Sequence, residues 1–427
     1  MIKSTNGKIY IKKHTLGEWL TLYIFLMPFF LSFVIDFLKL PDLLKYTIDI
    51  VWVLLFAVLM FRGKWQIRKR LAPFLVNVGV LLVYVFTVYL FNFQSPFYFL
   101  WGFRNIFRFY VGFWAFATFF DEEMATACLK FADILFWINA AVTVYQFFVM
   151  GLKQDYLGGI FGVERGCNGY STLFFILIVS KSLLDYMDEK EKAWLCLSKC
   201  AIALIISAMA ELKFFFLIFI VILVLTSVLT KFSWRKVGLM LAAVVVIAVA
   251  NAVLTIIFGQ NRALTFDKVF ELIFSQNYAS TEDLGRFTAI PTISETFLTT
   301  FPKKLFGMGL GNADTSAFAI CNTPFFEIYG DLHYSWFNSA FLFLETGYVG
   351  LTIYLAFFVV SFISAVNAFK NKRGNVLFSQ LAIIFSIMCI VLTFYNSTMR
   401  RECAFIMYFV LALPIMAPKS QNEQIEK

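Results

Sequence analysis

Residues 195–230 read LCLSKCAIALIISAMAELKFFFLIFIVILVLTSVLT. Leu195 to Leu212 and Phe214 to Thr230 each reach the length needed to cross a bilayer core, about 20 residues give or take a few. Runs of that length are too long for core strands. Apart from Lys199 near its start, the stretch of 36 residues carries only two charges, Glu211 and Lys213, at its middle. Both charges escape burial if Glu211-Leu212-Lys213 is a tight turn at a membrane surface, joining two spanning helices.

The rest of the chain repeats this pattern. Of 427 residues 60% are hydrophobic and 15% charged, and 55 are Phe; the mean hydropathy is +0.78. Surface-to-volume scaling leaves too little interior at this length to hide such an apolar excess, which excludes a soluble enzyme. Apolar runs and their breaks predict an all-α, polytopic bundle of about twelve spanning helices. The segments are 16–38, 44–61, 71–91, 98–120, 128–150, 168–187, 193–211, 213–230, 237–258, 336–369, 376–396 and 402–417. Residues 1–258 then hold helices one to nine, 259–333 one long loop, 334–417 helices ten to twelve and 418–427 a tail. The first run, Leu20 to Leu38, is too long for a signal-peptide core and no small-x-small cleavage site follows it, so it reads as a retained helix.

An even helix count puts both termini on one side. With the termini in the cytoplasm, inner segments carry nineteen Lys and Arg and the short outer ones seven, as the positive-inside rule requires. The net charge of +9 is thus mainly a topology signal, and no nucleic-acid motif accompanies it. Lys130, Lys181 and Lys199 are expected to snorkel to the inner interface. The 259–333 loop falls outside and is expected to fold, since it mixes aromatic and aliphatic residues with glycines and a proline. Of seven cysteines, Cys167 and Cys321 both fall outside; a disulfide and two free thiols both fit. The chain has two histidines, His14 and His333, so a His-based zinc site cannot be assembled.

Several charges are left over once topology is accounted for. Arg104 and Arg108 lie one turn apart in helix four and so on one face. Two readings stay open: a functional intramembrane pair, or an interfacial helix whose arginines touch lipid phosphates. Arg165, Glu211 with Lys213, Arg286, Arg400 and Arg401 all fall outside, where arginine is disfavoured. Converging cations at the mouth of a bundle suit an anionic ligand, especially a phosphate or pyrophosphate. His333, where the long loop meets helix ten, has the chemistry of a general base and equally that of an interfacial hydrogen-bonding residue. Gly307-Met-Gly-Leu-Gly311 lacks the strand–turn–helix context of a dinucleotide site; it offers backbone N–H groups to a polar ligand or is a plain flexible turn.

The order of these features resembles the O-antigen polymerase and ligase (Wzy-like) family of bacterial surface-polysaccharide enzymes. An outer Arg165 comes before helix six, then the charged turn at 211–213, then Asp283-Leu-Gly-Arg286, Leu305-Phe-Gly-Met-Gly-Leu-Gly311, His333 and Phe343-Leu-Glu-Thr-Gly-Tyr-Val-Gly350. The resemblance implies a GT-C-like bundle in the bacterial cytoplasmic membrane, with short helices in its outer loop. It also implies inverting, metal-independent glycosyl transfer without a cofactor. The donor would be a glycan on undecaprenyl pyrophosphate and the acceptor another lipid-linked glycan, with a flippase and a chain-length regulator as partners. Carried over, Arg286 would bind the pyrophosphate and His333 would assist the acceptor hydroxyl. Arg165, Lys213 with Glu211, Arg104 and Arg108 would be further phosphate contacts. Lys213 stands where relatives often have arginine, a point charge in place of a planar fork. A ligase using another acceptor and a transporter of lipid-linked glycans are the alternatives; the chain shows no internal repeat of the kind transporters carry.

Overall fold

A computed structural model describes residues 2–5, 8–11, 15–61, 69–92, 94–231, 233–259, 265 and 283–416. The tail, most of the long loop before Asp283, and the basic residues Lys12, Lys13, Arg62, Lys64, Arg68, Lys419 and Lys427 lie outside the described residues.

Every apolar segment read from the sequence is helical. The helices are α1 (Leu16–Leu38), α2 (Thr47–Phe61), α3 (Ala72–Asn92), α4 (Pro96–Phe119), α5 (Glu122–Phe148) and α6 (Asn168–Met187). They continue with α7 (Ala193–Met209), α8 (Lys213–Leu229) and α9 (Trp234–Phe258). Among the described residues, eight helices are long and apolar enough to cross a membrane, and three shorter apolar ones accompany them. The chain is accordingly a multi-pass helical membrane protein. A two-stranded hairpin, Ile2–Thr5 against Lys8–Ile11, precedes α1 and is a small departure from the all-α expectation.

Helix starts follow local chemistry. Thr15 caps α1 by accepting from the Glu18 N–H, and Pro96 occupies the first turn of α4, where its missing N–H costs nothing. Helix α5 begins six residues before the expected 128, because Asp121 accepts from the Met124 N–H at 2.8 Å and Glu122 and Glu123 fill the first turn. An acidic start favourable to the helix dipole had the look of a loop.

After Asp283 the long connection holds three short helices, α10 (Ala289–Thr296), α11 (Phe301–Phe306) and α12 (Pro324–Tyr329). Then come α13 (Asn338–Lys370), α14 (Val376–Tyr395) and α15 (Ala404–Ala412). Helices α6, α14 and α15 are mostly enclosed by protein, whereas α2, α3 and α9 turn most of their apolar surface outward. Aromatic rings fill the centre: Phe109 packs on Phe405 and Tyr408, and Phe357 on Phe74, Phe113 and Tyr110.

Helix α13 is broken at Gly347, whose φ of 61° and ψ of −168° leave the helix. The glycine run docks into that break. Met308 and Gly309 donate their N–H groups to Leu344 and Glu345 carbonyls at 3.0 and 2.9 Å. On the other side Gly311 lies against Gly102 of α4, so closely that a Cβ on Gly102 would stand 2.5 Å from the Gly311 nitrogen. The run is therefore a clasp that pins the loop between α4 and α13, and at these two positions its N–H groups are spent on the fold.

The lysines expected to snorkel divide. Lys130 is exposed. Lys181 and Lys199 are buried instead, Lys181 against Asp133 and Asp185 at 2.6 and 2.9 Å and Lys199 against Asp133 and Glu191 at 2.9 and 3.2 Å. Carboxylates on α5, α6 and the α6–α7 turn reach them, so the charges are satisfied inside the protein and have no need of the interface.

Candidate functional site

The cation-bearing turns gather at the end of the bundle that carries the long loop, where α6, α8 and α13 begin and α14 ends. The loop chain folds back on itself there: Leu284 donates its N–H to the Leu332 carbonyl at 3.2 Å. This sets Asp283 beside His333, with the Asp283 Oδ1 2.6 Å from the His333 Nδ1. The His333 backbone is left-handed, φ 55° and ψ 24°, an uncommon conformation for a residue with a Cβ. Its ring stacks on Trp336 with centroids 3.8 Å apart.

From His333 a circuit, made partly of side-chain contacts and partly of neighbours in sequence, links Arg165, Glu211, Lys213 and Arg286. The Trp336 indole also meets the Arg165 guanidinium, at 5.6 Å. Arg165 lies 3.9 Å from Asp155 and its side chain is 67% exposed. Beside Asp155, Gln154 donates to Glu211 at 2.6 Å, and Glu211 pairs with Lys213 at 3.3 Å. Phe214, next in the chain, stacks on Tyr395 at 3.8 Å. Tyr395 also meets Arg286, whose guanidinium carbon is 4.7 Å from its ring centroid and 5.9 Å from that of Phe337. Arg286 stands three residues from Asp283, which closes the circuit. Arg165, Glu211, Lys213, Arg286 and His333, spread over 169 positions (165 to 333), are thus brought together.

Arg104 and Arg108 share a face, as their spacing requires, but belong to a neighbouring network. Arg104 grips Asp49 with two hydrogen bonds, 2.8 and 2.6 Å. Arg108, only 1% exposed, donates to Glu402 and to the Arg400 carbonyl, both at 2.9 Å. A pyrophosphate at either would have to compete with a carboxylate already in hydrogen-bonding contact. Burial pushes the Glu402 carboxyl up, but Arg108, Arg104 and Arg401 outweigh it and hold it at about 2. Arg400 anchors this network to the circuit by donating to the Ser335 carbonyl at 3.1 Å. A cleft of about 310 Å³ opens beside Arg104 and Asp49, lined also by Tyr46, Trp52 and Trp101; no member of the circuit lines it.

Cys167 and Cys321 are free thiols. Burial, with Asp36 and then Asp155 nearby, raises Cys167 to about 12, which keeps it a thiol at neutral pH. Asp283, Trp336, Phe337, Tyr395, Phe214, Gln154 and Asp155 are the circuit members that sequence reasoning did not assign. Asp283 was within reach as an acid three residues before Arg286; the aromatic members had no signal in a chain so rich in aromatics. No protein-family model matches the chain, and no curated protein matches it.

Proposed function

We propose that the chain is a membrane glycosyltransferase of the O-antigen polymerase and ligase type, a polysaccharide polymerase working at the outer face of the bacterial cytoplasmic membrane. In this reading it is a GT-C-like bundle of twelve spanning helices with both termini in the cytoplasm, and the circuit faces outward. The donor is a glycan on undecaprenyl pyrophosphate and the acceptor is the end of a second lipid-linked glycan. A flippase delivers the donor, and a chain-length regulator is a further partner. What carries the reading is the convergence of three cations, a histidine and aromatic faces in one cluster, from segments far apart in sequence.

The chemistry asks for such a cluster. A leaving pyrophosphate gains negative charge as its bond to the sugar breaks, and preorganised cations stabilise that charge most where water is scarce. Arg286 and Lys213 hold the pyrophosphate, with the exposed Arg165 reaching it from the rim. Trp336 holds the His333 ring and Arg165, and Tyr395 lies against Arg286, so the aromatic residues orient the groups that meet the substrate. His333 accepts the proton of the attacking hydroxyl. Arg108, engaged with Glu402 and the Arg400 carbonyl, supports the 398–403 turn behind Ser335, and Arg104 ties α4 to Asp49 of α2.

The test uses purified protein in detergent with a lipid-pyrophosphate-linked repeat unit, products being followed by gel. A ladder of lengthened lipid-linked chains is expected. Translocation of the same substrate by the protein in liposomes, with no change in chain length under any acceptor supplied, would overturn the reading.

A further inference from the structure

We infer that Asp283 is a positioning residue that fixes His333 in one tautomer, the ring proton on Nδ1 and the lone pair of Nε2 turned to the reacting hydroxyl. This rests on the glycan-transfer reading only for what meets Nε2; the tautomer itself follows from geometry. An ionised carboxylate can only accept hydrogen bonds, so a ring nitrogen 2.6 Å from Asp283 Oδ1 is the one that donates. A neutral imidazole has one N–H, and spending it on Asp283 leaves the other nitrogen as a base.

Three further contacts keep the ring from turning over. The stack on Trp336, centroids 3.8 Å apart and planes 27° from parallel, restricts rotation about the Cβ–Cγ bond. The left-handed backbone of His333 is held by its own N–H, donated to the Gly330 carbonyl at 3.0 Å, since such a conformation persists only where the surroundings impose it. The Leu284-to-Leu332 hydrogen bond fixes the register of the two chain segments next to the pair. Burial is also divided between the partners: the Asp283 side chain is 4% exposed and that of His333 35%. The carboxylate lies inside, and the ring has an open edge.

In the transfer step the acceptor hydroxyl gives its proton to Nε2 while its oxygen forms the bond to the anomeric carbon. The bond from that carbon to the pyrophosphate oxygen breaks, and its electron pair leaves with the pyrophosphate. Asp283 stabilises the imidazolium that results, which then returns its proton to water.

The chain's second histidine, His14, can be replaced (His14→Gln) so that imidazole ¹⁵N spectra report on His333 alone. The neutral ring is expected to show a protonated Nδ1, the form that free histidine in water disfavours. Asp283→Asn, whose amide can turn its NH₂ to the ring, should move the proton to Nε2. It should lower kcat by about 10²–10⁴-fold, with KM for the lipid-linked donor within about twofold. A wild-type ring protonated on Nε2, or an Asp283→Asn protein that keeps both tautomer and kcat, overturns the inference. If Asp283→Asn does not fold, Asp283→Glu takes its place: retention of the Nδ1 proton supports the carboxylate's role, and its loss without loss of kcat refutes it. The spectra decide the tautomer even if the protein proves inactive toward glycan donors, so the two readings fail separately.

Discussion

Replacing Arg286 should separate charge from shape at the proposed pyrophosphate site. The guanidinium is buried, 8% exposed, and set against Tyr395 at 4.7 Å and Phe337 at 5.9 Å. A cation held this way has little freedom to lose when an anion arrives, and it acts where the effective dielectric is well below that of water. At an effective dielectric of about 20, two unit charges about 4 Å apart attract by roughly 4 kcal/mol. Removing one preorganised group aimed at developing charge costs about 2.7–4 kcal/mol. The two figures agree on a 10²–10³-fold loss of turnover for Arg286→Ala. Arg286→Lys keeps the charge but gives up the flat fork and its stacking, a cation–π contribution of about 0.5–2 kcal/mol. It should fall between wild type and Arg286→Ala, about tenfold below wild type. The assay is the gel ladder with purified protein, with thermal unfolding in detergent confirming that each variant is folded. A folded Arg286→Ala protein that turns over within twofold of wild type would refute the assignment. So would equal losses for Ala and Lys, since charge would then contribute nothing.

Four other substitutions test the frame of the fold. Glu402→Gln removes the main partner of buried Arg108 and should lower stability by about 3 kcal/mol in denaturant titrations in detergent. Because the folded Glu402 pKa, about 2, lies below its ordinary value of 4.5, its stabilisation is fully present above about pH 5. It is lost as pH falls toward 2, so the gap between wild type and variant should close over that window. Gly347→Ala places a Cβ 2.3 Å from the Leu305 carbonyl oxygen at a positive φ; it should cost roughly 2 kcal/mol or more and quicken proteolysis of the clasp. Gly79→Ala, with nothing within 4 Å of the added carbon, should leave the melting temperature unchanged or higher. Lys199→Met leaves Glu191 and one oxygen of Asp133 without their cation; about 3 kcal/mol of stability should be lost, read by the same titrations, with less than a twofold effect on turnover.

The helices were legible because the length of an apolar run is local information. Residues 195–230 announce α7 and α8 without reference to any other part of the chain. The bounds of α5 were less so, since Asp121, Glu122 and Glu123 are polar whether they open a helix or extend a loop. Partners of charges were not legible. Lys181 and Lys199 look like interfacial lysines until Asp133 is found beside both, and Arg108 gives no hint of Glu402, 294 positions on. Glycine positions signalled tight backbone but not its purpose: Gly307, Gly309 and Gly311 all take positive φ, in order to pack on Glu345, Gln94 and Tyr98. In the circuit, Arg165, Lys213, Arg286 and His333 could be nominated singly from the sequence. Their adjacency depends on Trp336 and Tyr395, two aromatic residues among many.

The two ends of the bundle use charge in different ways, and the difference bears on function. At the end away from the loop, Lys181 and Lys199 are matched by Asp133, Asp185 and Glu191 at 2.6–3.2 Å. A cation so matched projects little potential beyond its partners, and it serves the fold. At the loop end Arg104 and Arg108 are matched as tightly, by Asp49 and Glu402 at 2.6 and 2.9 Å, but aromatic faces also accompany two of the cations, Trp336 over Arg165 and Tyr395 and Phe337 beside Arg286. A π face orients a guanidinium without cancelling its charge, because a quadrupole carries no net charge to set against it. Asp155 is farther off, 3.9 Å from Arg165, whereas Glu211 pairs with Lys213 at 3.3 Å, about as closely as Glu191 with Lys199. Arg165, 67% exposed and 3.9 Å from Asp155, thus keeps a charge that an arriving anion can use. Tyr395→Leu and Trp336→Leu should accordingly cost activity by letting Arg286 and Arg165 wander, even though neither change removes a charge.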